Sequence, residues 1–162
     1  MNIVLVEPEI PQNAGNIIRT CMATNTKLYM VKPLGFTLDD KHFKRAGMDY
    51  LTLADFTVVD SFEEIYDNNK DKKFFFASTK SPQKYTDVAY PKDCFIVFGK
   101  ESFGLRESLL KKHLDDCIKI PMVENARSLN LSNSVAIILF EALRQNDFAG
   151  LKETGALTGR ID

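Results

Sequence analysis

Short apolar runs alternate along the chain with polar, proline- and glycine-bearing segments and with stretches of helical period. Ile3-Val-Leu-Val6, Leu28-Tyr-Met-Val31, Thr57-Val-Val59, Phe74-Phe-Phe-Ala77, Cys94-Phe-Ile-Val-Phe98 and Cys117-Ile-Lys-Ile120 read as strands. The fifth is apolar on both faces, as strands of a buried parallel sheet are. Between them, Ile17, Ile18, Cys21 and Met22 share one helical face, and the polar stretch Asp39–Gly47 predicts a short basic helix. Ser61 stands three residues before Glu64, the spacing of a capping box, and opens a helix through Tyr66. Ser102–Leu114 predicts a helix with Leu105, Leu109 and Leu110 inward. Leu131, Val135, Ile138, Leu139 and Ala142 mark a longer helix ending near Asn146. Strands alternating with helices predict a three-layer α/β domain with a mostly parallel sheet. Ligands in such sheets bind beyond the carboxyl ends of strands, so the loops after Val6, Ala77, Phe98 and Ile120 are where chemistry is expected.

The chain's 162 residues suit one domain spanning 1–162, with a small, polar tail from about 148 that is expected to fray. Lys and Arg total 21 against 22 Asp and Glu, a net charge of -1, so any polyanion must be met by a local patch. Lys41-His-Phe-Lys-Arg45 is the best such patch, with Lys80 and Lys84 around a Ser-Pro turn behind it; a solvated helix face offset by Asp39 and Asp40 is the plainer reading. The longest apolar run, Val135–Phe140, falls far short of the roughly 18 residues of a membrane helix, and the first residues lack the pattern of a secretory signal. Cys21, Cys94 and Cys117 are odd in number and set in apolar surroundings, which predicts reduced core thiols and a cytoplasmic protein without membrane contact.

Dinucleotide, P-loop, nucleophile-elbow and zincin motifs are absent. With His42 and His113 the only histidines and no C-x-x-C pair, no metal is expected. Three loops stand out instead. In Glu7-Pro-Glu-Ile-Pro-Gln-Asn-Ala-Gly-Asn-Ile-Ile-Arg19, Asn13 can cap the helix while Asn16 and Arg19 share a polar face. In Phe98-Gly-Lys-Glu-Ser-Phe-Gly-Leu105, Gly99 and Gly104 permit a sharp turn or close approach to a ligand, and Glu101 can serve as a first-turn acid of the helix that follows. The third, Ile118 to Ser134, passes from Ile-Pro-Met into a run of Ser and Asn in which Ser128, Asn130 and Ser132 compete as helix caps.

In this order the three loops resemble the three motifs of the SPOUT superfamily of RNA methyltransferases, in its SpoU-like branch. The resemblance runs from Ile3 to about Gln145 and includes Lys32-Pro-Leu-Gly-Phe36 and Arg45-Ala-Gly-Met-Asp-Tyr50. Its minimal members, without a further RNA-binding domain, match this length. The resemblance implies a deep trefoil knot in the C-terminal part and S-adenosylmethionine as methyl donor. Ala77, Gly99, Ile120 and Ser128 match the donor-contact positions, with Met122 and Leu129 lining the adenine pocket.

By the same resemblance Arg19 is the catalytic arginine at the reacting ribose. Its guanidinium is a poor base, and it is expected to hold the 2′-hydroxyl or adjacent phosphate and stabilise developing oxyanion charge. Asn13, Lys41, Lys44, Arg45 and Glu101 are the expected substrate-binding residues. The implied reaction is 2′-O-methylation of wobble nucleotide 34, cytidine or modified uridine, in the anticodon loop of tRNA, leucine tRNAs among them, by a homodimer. Methylation of ribosomal RNA or tRNA position 32, a noncatalytic RNA-binding module and a flavodoxin- or receiver-like phosphate protein are the alternatives. The last would require an acidic cluster or phosphate loop that the sequence does not present.

Overall fold

The computed structural model describes residues 1–47 and 55–156. Six strands, β1 (Asn2–Val6), β2 (Lys27–Val31), β3 (Phe56–Val59), β4 (Phe74–Ala77), β5 (Phe95–Phe98) and β6 (Cys117–Ile118), form one sheet in the order β3-β2-β1-β5-β4-β6. All five strand pairings are parallel, with Ile3 beside Leu28 and Ile96 and with Phe76 beside Val97 and Cys117. Alternation of side chains along each strand sends the two faces to different cores. Ile3, Leu5, Leu28, Met30, Phe75, Ile96, Phe98 and Ile118 pack against Ile17 and Ile18 of α1 (Pro11–Ala23), Phe43 of α2 (Lys41–Gly47), and Val135, Ile138 and Leu139 of α5 (Leu131–Gln145). Val4, Val31, Phe74, Phe76, Phe95 and Val97 pack against Phe62 and Ile65 of α3 (Phe62–Asp67) and Leu110 of α4 (Glu107–Lys112). The result is the expected three-layer α/β architecture. Cys21, Cys94 and Cys117 are buried free thiols, and burial pushes Cys21 and Cys94 up to about 12.

Most predicted elements form, and the departures have local causes. Ser61 caps α3, its Oγ accepting from the Glu64 N–H. The helix expected from Ser102 starts only at Glu107, because Lys100–Gly104 closes a turn through Gly104 N–H to Lys100 carbonyl at 2.8 Å, with Gly104 at φ +69. A residual single turn of 3₁₀ helix, Leu114–Asp116, follows α4. β6 stops at Ile118 rather than Ile120, since Lys119 pairs with the 83–85 segment: it donates to the Gln83 carbonyl and accepts from Tyr85 N–H. Pro121 then ends any continuation, having no N–H to donate. Met48-Asp-Tyr50, the end of one segment carrying the family resemblance, lies outside the described residues, as does the tail from 157. Among the described residues no helix is long and apolar enough to cross a membrane.

Candidate functional site

The loops that follow β1, β4, β5 and β6 gather at the carboxyl edge of the sheet, where helices and strands leave room for ligands. The loops after β1 and β5 clasp each other through three acidic side chains. Glu7, at φ +54 and therefore in a backbone region costly for a residue with a Cβ, accepts from Lys100 Nζ at 3.0 Å and Arg106 Nη2 at 2.6 Å. Its side chain is only 14% exposed, and the Lys100 hydrogen bond, with Arg106 assisting, holds its carboxyl below the ordinary glutamate value. Glu9 accepts from both the N–H and the hydroxyl of Ser102, at 2.9 and 2.8 Å. In return, Glu101 accepts from the N–H groups of Glu9 and Ile10, at 2.8 and 3.3 Å, and from Asn13 Nδ2 at 2.9 Å.

That geometry corrects two expectations. Asn13 does not cap α1: the helix begins at Pro11, whose fixed φ and missing N–H suit the first position, and Asn13 lies inside the first turn. The N-cap position is Ile10, and the side chain that serves it is Glu101, delivered from about ninety residues further along the chain: it accepts from the N–H groups of Ile10 and of Glu9 just ahead, which sets its charge at the positive end of α1. Glu101 thus complements α1, not its own following helix. Asn13 is 5% exposed and fully engaged, giving its amide to Glu101 and accepting from Asn130 Nδ2 at 2.9 Å. Asn130, of the three competing residues, is the cap of α5, its Oδ1 accepting from Ser132 N–H and Oγ. One buried asparagine therefore ties together all three loops.

Gly99 serves the loop's self-crossing. A Cβ there would stand 2.0 Å from the Gly104 carbonyl carbon and 2.2 Å from Leu105 N, both backbone. The same loop lines a cavity of about 650 Å³, which falls among small-molecule sites. Ala77, Gly99, Ile120, Met122, Ser128 and Leu129 all line it, together with Asn13 and Glu101. Its lining combines apolar side chains with residues at the carboxyl ends of β4, β5 and β6, the mix of apolar surface and a few polar groups usual in small-molecule sites. Ile138, Leu131 and Phe98, all buried, also line it.

Arg19, Lys41, Lys44 and Arg45 do not line the cavity. Arg19 is exposed on α1, roughly 9 Å further along the helix axis than Asn13 at 1.5 Å rise per residue. Asn16, between them, is exposed too, so Asn13, Asn16 and Arg19 form a polar stripe running out from the cavity. Lys41, Lys44 and Arg45 are exposed on α2, with Asp40 capping that helix and Lys44 paired to Asp39 at 2.9 Å. Lys80 pairs with Glu107 and Lys84 with Asp87. Sequence reasoning missed Phe103, Arg127, Ser134 and the Glu7 and Glu9 clasps. The clasps join residues more than ninety positions apart, so no local pattern announces them. For Phe103, a large apolar residue inside a glycine-bounded polar turn was the available signal.

A family model described as the SpoU rRNA Methylase family matches residues 1–140. A Bacillus subtilis protein provisionally named a tRNA (cytidine(34)-2′-O)-methyltransferase is 47% identical, covering 94% of this chain and 97% of its own length. A crystal structure of a provisionally named RNA methyltransferase from Bacillus anthracis superposes with a TM-score of 0.86 at 46% identity, covering 93% of this chain and 96% of that one. A structure described as giving insight into 2-OH methylation of C/U34 on tRNA reaches the same TM-score at 37% identity, covering 90% and 95%. With the hydrogen-bonded loops and the parallel sheet behind them, these likenesses leave one assignment: the chain belongs to the SpoU rRNA Methylase family.

Proposed function

We propose that the protein transfers a methyl group from S-adenosylmethionine to the ribose 2′-hydroxyl of wobble nucleotide 34 in tRNA, with leucine tRNAs the first isoacceptors to test. The observation that carries this reading is the convergence of three loops, distant in sequence, on one cavity whose lining suits the donor. Relatives aligned over nearly their whole length are named for the same reaction. A trefoil knot formed by the loops after β5 and β6, a single catalytic unit spanning the chain, and a cytoplasmic location consistent with three buried thiols belong to the same proposal.

When bound, S-adenosylmethionine supplies a methyl group on a positively charged sulfur. Met122 and Leu129, which line the cavity, would form the apolar slot for its adenine, and Ala77, Gly99, Ile120 and Ser128 beside them would contact the rest of the donor. Glu101 and Asn13 act from behind, fixing the start of α1 so that its polar stripe keeps one orientation to the cavity. Arg19 then holds the ribose hydroxyl or its phosphate and stabilises charge as the oxygen loses its proton to a substrate phosphate or water. Lys41, Lys44 and Arg45 contact RNA phosphates, which position without reading bases. Ile137 and Phe140, exposed on α5, offer a face for a second copy in a homodimer.

Arg19→Ala tests the division of labour. Calorimetric titration with S-adenosylmethionine should give the parent affinity, while the rate of methyl transfer to tRNA should fall by about 100-fold or more, the scale of losing one oxyanion-stabilising group. Unchanged transfer would remove Arg19 from the reaction. Lost donor affinity would move it into the donor pocket.

A further inference from the structure

Between Gly99 and Gly104, every polar residue of the turn is hydrogen-bonded within the protein. Lys100 binds Glu7, Glu101 binds the start of α1, Ser102 binds Glu9, and the Gly104 N–H closes the turn. Phe103 alone projects, with 84% of its surface exposed, yet it lines the cavity. Single exposed apolar residues on a protein surface need no explanation. This one is held on a rigid, glycine-bounded loop at the mouth of the candidate donor pocket, where Ile10 and Leu129 are also part-exposed, at 41% and 39%. Of the cations lining the same cavity, Lys100 is paired with Glu7 and Lys80 with Glu107, while Lys119 and Arg127 have no ion-pair partner among the described residues, and the one lining carboxylate, Glu101, is turned to α1. A flat apolar ring beside two such cations matches a nucleotide: a π-face for the base and positive charge for its phosphate.

We propose that Phe103 is the stacking platform for the base of the nucleotide being methylated, with Arg127 taking an adjacent phosphate. The inference rests on the wobble-methylation reading and adds a residue that holds the substrate. A ribose hydroxyl that enters the cavity carries its base to the rim, and bases of single-stranded loops can be unstacked and laid on an aromatic side chain. Stacking tolerates any base, so Phe103 holds the nucleotide without selecting cytidine over uridine.

A double-mutant cycle tests this. tRNA assembled by ligation with either cytidine or an abasic ribonucleotide at position 34 is titrated onto the parent protein, Phe103→Ala, Phe103→Leu and Phe103→Trp. Phe103→Ala should weaken binding of the cytidine tRNA by about 5- to 150-fold, the range of one base–aromatic stack. Phe103→Trp should preserve it, and Phe103→Leu, equally apolar but not flat, should behave like alanine. The abasic tRNA should bind the parent as weakly as the cytidine tRNA binds Phe103→Ala, and combining the two changes should cost no more than either. S-adenosylmethionine affinity and solution mass should be unchanged. Losses that multiply would overturn the inference, as would an Ala effect confined to donor affinity or to assembly of a second copy. Failure of the parent protein to methylate position 34 would instead overturn the wobble reading beneath it, and that result is seen before any variant is made.

Discussion

Glu101→Gln isolates what the cap of α1 contributes, because it keeps the side chain's shape and removes one acceptor and the charge. In the structure one carboxylate oxygen serves Glu9 N–H, and the other serves Ile10 N–H and Asn13 Nδ2. A glutamine can face its oxygen toward the latter pair, but its NH₂ then opposes the Glu9 N–H, donor against donor. Hydrogen bonds to charged groups contribute about 1.5–3 kcal/mol. Partial exposure of this site discounts that, so the expected loss is about 1–3 kcal/mol. For a chain of this length each kcal/mol moves the melting temperature by about 2–4 °C, giving a drop of about 2–12 °C. Urea unfolding should show a lower midpoint with an unchanged slope, since the surface exposed on unfolding is the same. S-adenosylmethionine affinity should fall as well, because the same loop walls the cavity. A variant as stable as the parent, with weakened RNA binding only, would refute the capping argument and return Glu101 to the substrate-binding role read from the sequence.

Gly99→Ala should be harsher: a Cβ must gain about 1.4 Å of separation from backbone that cannot rotate away, taking 2.0 Å to an ordinary 3.4 Å. It should cost at least the 1–3 kcal/mol typical of overpacking and abolish measurable donor binding by calorimetry, whereas Gly155→Ala, in open space, should change neither. The Glu7 clasp predicts acid lability. Its carboxyl is held below the ordinary value by Lys100 and Arg106, so the unfolded chain takes up this proton at higher pH than the native one. The clasp's stability is complete above the ordinary glutamate range and is lost as pH falls through the depressed native value. Glu7→Gln should therefore be clearly less stable than the parent at neutral pH and differ less from it at acid pH, below the ordinary glutamate range. An equal gap at both would contradict the ion pairs. Burial, which pushes the Cys21 and Cys94 thiols up to about 12, predicts that alkylating reagents label neither in the native protein and both after unfolding, read by intact mass.

Much of the fold was legible because its signals are local. Phe95–Phe98 is apolar on both faces since both faces are covered, and Ser61 and Glu64 declare a cap within three residues. The capping at α1 was misread for an equally physical reason. An asparagine ahead of a helical pattern is ordinarily its cap, yet Pro11 already marked the first helical position, and the acceptor came from across the sheet. Leucine spacing from Ser102 to Leu114 carried the helix prediction too early, because Leu105 is buried from a loop and not from a helix. The six positions singled out through the resemblance line one cavity, whereas the clasps of Glu7, Glu9 and Glu101 exist only once β1 and β5 lie side by side. Pairings across such distances in the chain are set by tertiary structure, and the residue types alone allow many others.

The most direct measurement is to incubate the protein with S-adenosylmethionine and unmodified total tRNA and to map 2′-O-methylated nucleotides by mass spectrometry after nuclease digestion. The account predicts a single new methyl group on the ribose of nucleotide 34 in a subset of tRNAs. Methylation confined to another position, or none from a protein that binds the donor, would contradict it.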